Sequence, residues 1–255
     1  MLDRLLTSIL TLSLRGATPL TMGALCGIFC ERSGVVNIAI EGIMLASAFH
    51  GYIGLALTGS FAVGLLMGIL TGILLGLLHG VLSIRFRTDQ IISGTVINIL
   101  ALGYTGYFRN IFELYLQSQG ILFQGAFRGQ IVIPLLSDIP IVGPALFRGS
   151  PITLSLILIA CIVHIILFFT RWGLRTRAVG EHPRAADTLG INVFWMRYAN
   201  VVIGGMLAGI GGAWFTIESV GKFQAGMTAG RGFIALACMI FGKWTPFGAL
   251  GAALL

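Results

Sequence analysis

Apolar residues run along this chain in long blocks, separated by short polar breaks. A helical bilayer crossing takes about 20 predominantly apolar residues, and the blocks supply that length several times. Candidate spans run from Leu5 or Thr18 to Phe29, then Ile38 to Leu57, Phe61 to Ile84, Ile91 to Phe108, Ile152 to Thr170 and Trp195 to Ile217. Arg15 and Pro19 leave the start of the first one open. A further region, Phe233 to Leu255, is interrupted by Lys243-Trp244-Thr245-Pro246. The pattern predicts an all-α, polytopic helical membrane protein of about seven or eight segments, some interrupted, forming a single transmembrane domain over residues 1–255. The last apolar run, GALGAALL, has no closing polar tail, so the expectation is a truncated C-terminus with further spans beyond it.

The longest polar run of the C-terminal half is RWGLRTRAVGEHPRAADTLG, Arg171 to Gly190. It holds Arg171, Arg175, Arg177 and Arg184 beside Glu181 and Asp187. Lys and Arg close to span ends resist translocation, so a basic loop is expected on the cytoplasmic side. Arg85 and Arg87, two spans earlier, belong on that same side. The segment from Asn110 to Pro151, with Arg128, Arg148, Pro134, Pro140 and Pro144, then lies outside, as does the stretch from Glu218 to Arg231. Straight spans put Glu31-Arg32 inside and Met1 outside; a break within the membrane at Gly34 to Gly42 would change the count, and both readings stay open. Within the basic loop, Glu181 to Gly190 reads as a short helix. Pro183 suits a first turn, Ala185 and Ala186 favour helix, and Gly190 stops it. Such a piece is either a surface helix or an element that inserts into a partner's groove.

Composition narrows the class. Hydrophobic residues make up 56%, charged residues 10%, and the mean hydropathy is +0.96. A soluble domain carries about 25% charged residues, so this chain could not cover a soluble surface. The net charge of +7 sits in short breaks at span ends, which is not a nucleic-acid signature. The 36 glycines suit close helix approach in a membrane. Cys26, Cys30, Cys161 and Cys238 lie in apolar segments without metal-type spacing; no disulfide framework, metal or cofactor is expected. The chain has no GxxxxGK[ST] phosphate loop, no HExxH and no GxSxG, so no catalytic residue is assigned and ATP hydrolysis is not expected in it.

A few residues could carry function. Glu41 sits four positions after Asn37 in an otherwise apolar stretch. A charge at membrane depth costs at least about 2.5 to 3.5 kcal/mol on insertion scales. Glu41 is therefore expected to face a pathway, bonded to Asn37 or a substrate hydroxyl, or else to be an interfacial carboxylate paired with Arg32. Asn98, mid-span after Ser93 and Thr95, could bond a sugar or base edge, or hold two helices together. His50 and His79, near span ends, read as structural. Phe223, Phe233, Phe241 and Trp244 could stack on a flat ligand, although most aromatics in spans pack or sit at the interface. Ser33 to Ser47 and Thr228 to Gly242 look weakly alike, each a Gly and polar start followed by an apolar piece, as in the broken helices of transporters.

Four ordered stretches carry a resemblance: ERSGVVNIAIEG (Glu31 to Gly42), RTDQIISGTVINILALG (Arg87 to Gly103), RAVGEHPRAADTLGI (Arg177 to Ile191) and TAGRGFIALACMIFGKWTPFGAL (Thr228 to Leu250). Together they resemble permease subunits of nucleoside or simple-sugar ABC importers, within the wider ribose and branched-chain amino-acid permease family. The resemblance implies a pathway formed with a second permease subunit in the membrane lipid, two cytoplasmic ATPase subunits that drive it, and an extracytoplasmic binding protein that delivers the ligand. It implies that loop 171–194 couples to the ATPase through Gly180, Glu181, Pro183, Arg184, Ala185, Ala186 and Gly190. It implies that Asn37, Glu41, Arg231 and Phe233 lie along the pathway, and Asn98 joins them from its place mid-span. An ion-coupled secondary transporter would need intramembrane acids, of which Glu41 alone is a candidate; a lipid-modifying enzyme would want paired carboxylates or a His cluster, and none is evident.

Overall fold

The computed structural model describes residues 2–120, 129–132, 134, 137, 139 and 142–255; Arg128 and Pro140 lie outside the described residues. The helices are α1 (Leu2–Arg32), α2 (Ile40–Thr58), α3 (Phe61–Gly80), α4 (Gln90–Ser118), α5 (Val142–Leu146), α6 (Pro151–Phe169), α7 (Arg171–Glu181), α8 (Pro183–Thr188), α9 (Val193–Trp214), α10 (Arg231–Phe241) and α11 (Pro246–Leu254). α3 and α9 each run on through a π-helical turn, Val81–Arg85 and Phe215–Ser219. Two short strands, β1 (Ile131–Val132) and β2 (Arg148–Gly149), pair antiparallel. Among the described residues 6 helices are long and apolar enough to cross a membrane, and α10 is a shorter apolar helix. The seven or eight segments read from the sequence resolve into these long helices plus the short pieces α10 and α11.

α9 is the axis of the bundle, packing on α1, α2 and α3. Its contact with α3 is made by backbone. Gly64, Gly68, Gly72 and Gly76 recur every fourth residue on α3; Gly68, Gly72 and Gly76 face Gly205, Gly209 and Ala213 of α9, and Gly64 lies against Gly51 of α2. A Cβ on Gly72 would overlap the Gly205 carbonyl oxygen, and one on Gly205 would overlap that of Gly72. In lipid the apolar side chains gain little by leaving their surroundings, so such close backbone packing is what joins helices. Met22, Leu25, Ile28 and Phe29 of α1 and Ile40, Ile43 and Met44 of α2 fill the core. α3 and α4 turn Leu66, Leu70, Leu74, Ile92, Val96 and Ile99 outward.

The helices order the chain into two ends. At one end Arg15 of α1 donates to the Glu218 carbonyl (3.4 Å). At the other, Arg32 donates to the Trp244 carbonyl (3.2 and 3.3 Å). α1 thus runs the length of the bundle, as straight spans require, and passes Pro19 without ending. The Arg87 turn and the start of α8 lie together at the Arg32 end, where both line one cavity. This is the basic end.

Two expectations change. The run from Arg171 to Gly190 is not a loop carrying one short helix. Its first half is the helix α7, opened by Thr170, whose hydroxyl accepts from Gly173 N (3.3 Å), and packed through Thr176 and Val179. The stretch from Glu218 to Arg231 is not a plain outer loop either. It returns into the bundle, so that α10 begins against the first turn of α2.

Candidate functional site

The two weakly similar segments meet each other. Glu41 Oε1 accepts from Thr228 Oγ1 (2.7 Å) and Gly230 N (2.8 Å), and Oε2 accepts from Gly232 N (2.6 Å). The two amides are free donors at the start of α10, where helix N–H groups have no partner of their own and carry partial positive charge, and the Thr228 hydroxyl adds a third bond. Gly230 takes φ +80°, and a Cβ on Gly232 would lie 2.5 Å from the Glu41 backbone, so both positions need glycine. The sequence reading of Glu41 is corrected here: its carboxylate meets neither Asn37 nor Arg32, but caps a helix nearly two hundred residues away.

Asn98 does similar work at the start of α2. Its Oδ1 accepts from Gly42 N (2.7 Å) and its Nδ2 donates to the Ile38 carbonyl (3.0 Å). Of its two readings, the helix-joining one describes what its amide does. Asn37 is fully buried; its Oδ1 accepts from Ala39 N (3.0 Å) and its Nδ2 faces the Cys26 and Cys30 sulfurs at 3.6 and 3.5 Å. His79 is buried between Ser93 Oγ (3.1 Å) and the Val36 carbonyl (3.0 Å). The Ser33–Ala39 linker is thus held on both sides, and each of its unpaired backbone groups named here finds a side chain.

Arg231 and Phe233, the remaining pathway candidates, are exposed on α10. Arg231 donates to the Met227 and Thr228 carbonyls (3.2 and 3.3 Å), and its guanidinium stands 5.4 Å from the Phe215 ring centroid. Among the aromatic candidates, Phe223 is buried edge-on against Phe49, centroids 5.0 Å apart, and Trp244 donates its indole N–H to Glu31. Phe223 has no exposed ring to offer a ligand, Trp244 is half-buried, and Phe233 and Phe241 are exposed.

The basic end holds the other candidates. Gly180 lies where a Cβ would overlap the carbonyl of Arg32, the last residue of α1. Pro183 opens α8, Ala186 is buried with Val179 and Met196, and Gly190 leaves the helix at φ +77°. Glu181, Arg184, Ala185 and Leu189 face outward, Leu189 at 81% exposure. Below them α7 is tied to α9 by Asn200, whose Oδ1 accepts from Trp172 Nε1 (3.2 Å) and whose Nδ2 donates to Thr176 Oγ1 (3.1 Å). Arg32 and Arg177 both approach the Phe168 ring, at 5.8 and 5.3 Å. Arg197 donates to the Ser33 carbonyl (3.2 Å). The segment is a packed mount with a small outward knob.

Sequence reasoning missed Glu218, taken as an outer-loop residue. It is 3% exposed and caps α6, accepting from Ile152 N (2.6 Å), Thr153 N (3.3 Å) and Thr153 Oγ1 (3.2 Å). Its available signal was an acid directly after an apolar span, matched by a Ser-Pro-Ile-Thr helix start elsewhere. Asn200 and Trp172, which bind α7 to α9, carried no signal beyond polarity.

A family profile described as branched-chain amino acid transport system / permease component matches residues 9–255. The guanosine ABC transporter permease protein NupQ of Bacillus subtilis is 43% identical over 98% of this chain and 80% of its own length. The nucleoside ABC transporter permease protein NupC of Lactococcus lactis subsp. cremoris is 41% identical over 94% of this chain and 76% of its own. The putative glucose ABC transporter permease protein TsgC13 of Haloferax volcanii is 35% identical over 93% and 71%. No solved structure matches the chain significantly. With 6 helices among the described residues long and apolar enough to cross a membrane, and a family match over nearly its whole length, the chain belongs to the branched-chain amino acid transport system permease family and is a multi-pass ABC transporter permease.

Proposed function

We propose that this permease is one of two membrane subunits of an ATP-driven importer that carries nucleosides across the cytoplasmic membrane of a bacterium, and that α7 and α8 are where the ATPase pushes. The observation that carries the coupling reading is the mount itself. Glu181, Arg184, Ala185 and Leu189 project outward, while Gly180 is wedged against the last carbonyl of α1 and Arg197 grips Ser33. A displacement of α8 therefore bears directly on the Ser33–Ala39 linker, and through it on α2, Glu41 and the start of α10. Packed helices of this kind move as units between discrete arrangements. The two ATPase subunits and the binding protein outside are the partners such a cycle requires. The nucleoside reading rests on the relatives named for guanosine and nucleoside transport; a simple sugar is the second reading, favoured by the relative named for glucose.

The test is a crosslink. A single cysteine at Ala185, in a background lacking the native four, is expected to capture an ATPase subunit, and the cells should take up labelled guanosine in an ATP-dependent way. The double change Glu181→Ala with Arg184→Ala should reduce that uptake to background while the protein still inserts. Uptake at the wild-type rate would remove the coupling assignment. Uptake of glucose without guanosine would move the ligand to the second reading.

A further inference from the structure

The hydroxyl of Ser83 is buried and has no hydrogen-bond partner among the described residues. Buried hydroxyls are rarely left so, and each one asks for a ligand, a water or an ion. Ser83 lies in the π-helical turn that ends α3, and such turns recur at functional sites. It lines a cavity of about 430 Å³ at the basic end, together with Arg87, Arg184, Asp187, Phe194 and Arg197. Three guanidinium groups thus share the cavity with one carboxylate. Arg87 is set there by a left-handed backbone, φ 54°, after a turn closed by Thr88 N and Oγ1 on the Leu82 carbonyl (3.1 and 2.9 Å). Arg197 is anchored by its bond to Ser33.

The rim is apolar and aromatic. Phe194 lines the cavity and is exposed, Phe86 is exposed directly before Arg87, and Leu77 and Leu78 are exposed on α3 just before the π-turn. Exposed aromatics mark the membrane–water boundary, and basic pockets between helices at that level on the cytoplasmic side recognise anionic headgroups. We propose that this cavity binds the phosphate of an anionic phospholipid, with Arg87 and Arg184 as its cationic contacts, Ser83 as a hydroxyl donor and the acyl chains lying along α3. The ligand is set by the juxtaposition of a buried unmet donor, excess positive charge and an apolar exit. A soluble anion would use the first two alone.

The test uses the full-length protein, purified from membranes and delipidated. It is titrated with phosphatidylglycerol, with phosphatidylcholine of the same acyl chains, with inorganic phosphate and with hexaglutamate, and the bound molecules are counted by native mass spectrometry. One phosphatidylglycerol should be retained in preference to phosphatidylcholine. Arg87→Gln and Arg184→Gln should each weaken it about fivefold, on the scale of one basic residue at a charged membrane surface. Ser83→Ala should weaken it further. Arg87→Lys, which keeps the charge, should hold it near the wild-type level and so separates loss of charge from loss of fold. Equal retention of the two lipids, or retention indifferent to both arginines, would overturn the proposal. So would displacement by millimolar phosphate, which gives the site to a free anion, or by hexaglutamate, which gives it to an acidic protein segment.

Discussion

Glu41 and Glu218 are acids that cap helices to which they do not belong. Each lies at or within an apolar span, and each ends on the free amides of another helix, α10 and α6. This resolves the difficulty of a carboxylate at membrane depth: the charge is held by fixed donors and by the positive end of a helix. It also bears on ion coupling, because the Glu41 oxygens already accept three bonds. Glu41→Ala leaves those donors without a partner. It should cost on the order of 3 kcal/mol, the range of a hydrogen bond to a charged group. The measurement is the thermal unfolding of the detergent-solubilised protein. Glu41→Gln keeps one acceptor oxygen and should cost less; equal midpoints for all three proteins would refute the capping role. That Glu41, Asn37 and Asn98 matter was legible from polarity inside apolar runs. Their partners were not, because Glu41 and Gly232 are 191 residues apart and local sequence carries no register between them.

Among the helices, legibility followed punctuation. α8 was readable because Pro183 and Gly190 bracket it, and the long spans because their apolar runs exceed a bilayer thickness. α7 was not readable. Its residues are polar and basic, and its packing depends on Gly173, Thr176 and Val179, a stripe too small to stand out by hydropathy. The ends of α4 were underestimated, since it continues past Phe108 to Ser118 through Arg109 and Glu113, which pair at 3.0 Å four residues apart. The α3–α9 seam shows how glycine content becomes architecture. Gly72→Leu would drive a side chain into the α9 backbone and force the two helices apart. We expect loss of folded protein in the membrane, read as the monodisperse fraction after detergent extraction. Gly103→Leu, on an open part of α4, should leave that fraction close to wild type.

For the whole molecule, the division of charge between the two ends is the organising fact. Arg32, Arg87, Arg184 and Arg197 gather at the basic end, with the α7–α8 mount, while Arg15 and Arg148 lie with Glu218 at the other. Positive residues near span ends stay on the cytoplasmic side, so a cysteine at Leu189 should react with a membrane-impermeant maleimide only after the membrane is opened. A cysteine at Lys222 should react in intact cells; the reverse pattern would invert the orientation. The bond between Glu41 and α10 also imposes an order in time. A ribosome delivers α2 to the membrane before α10 exists, so the acid has no helix start to cap until the chain between Glu41 and Gly232 has been made. α2 and α10 are therefore locked together only once Gly232 has been made, and until then the bundle is unsealed at this point.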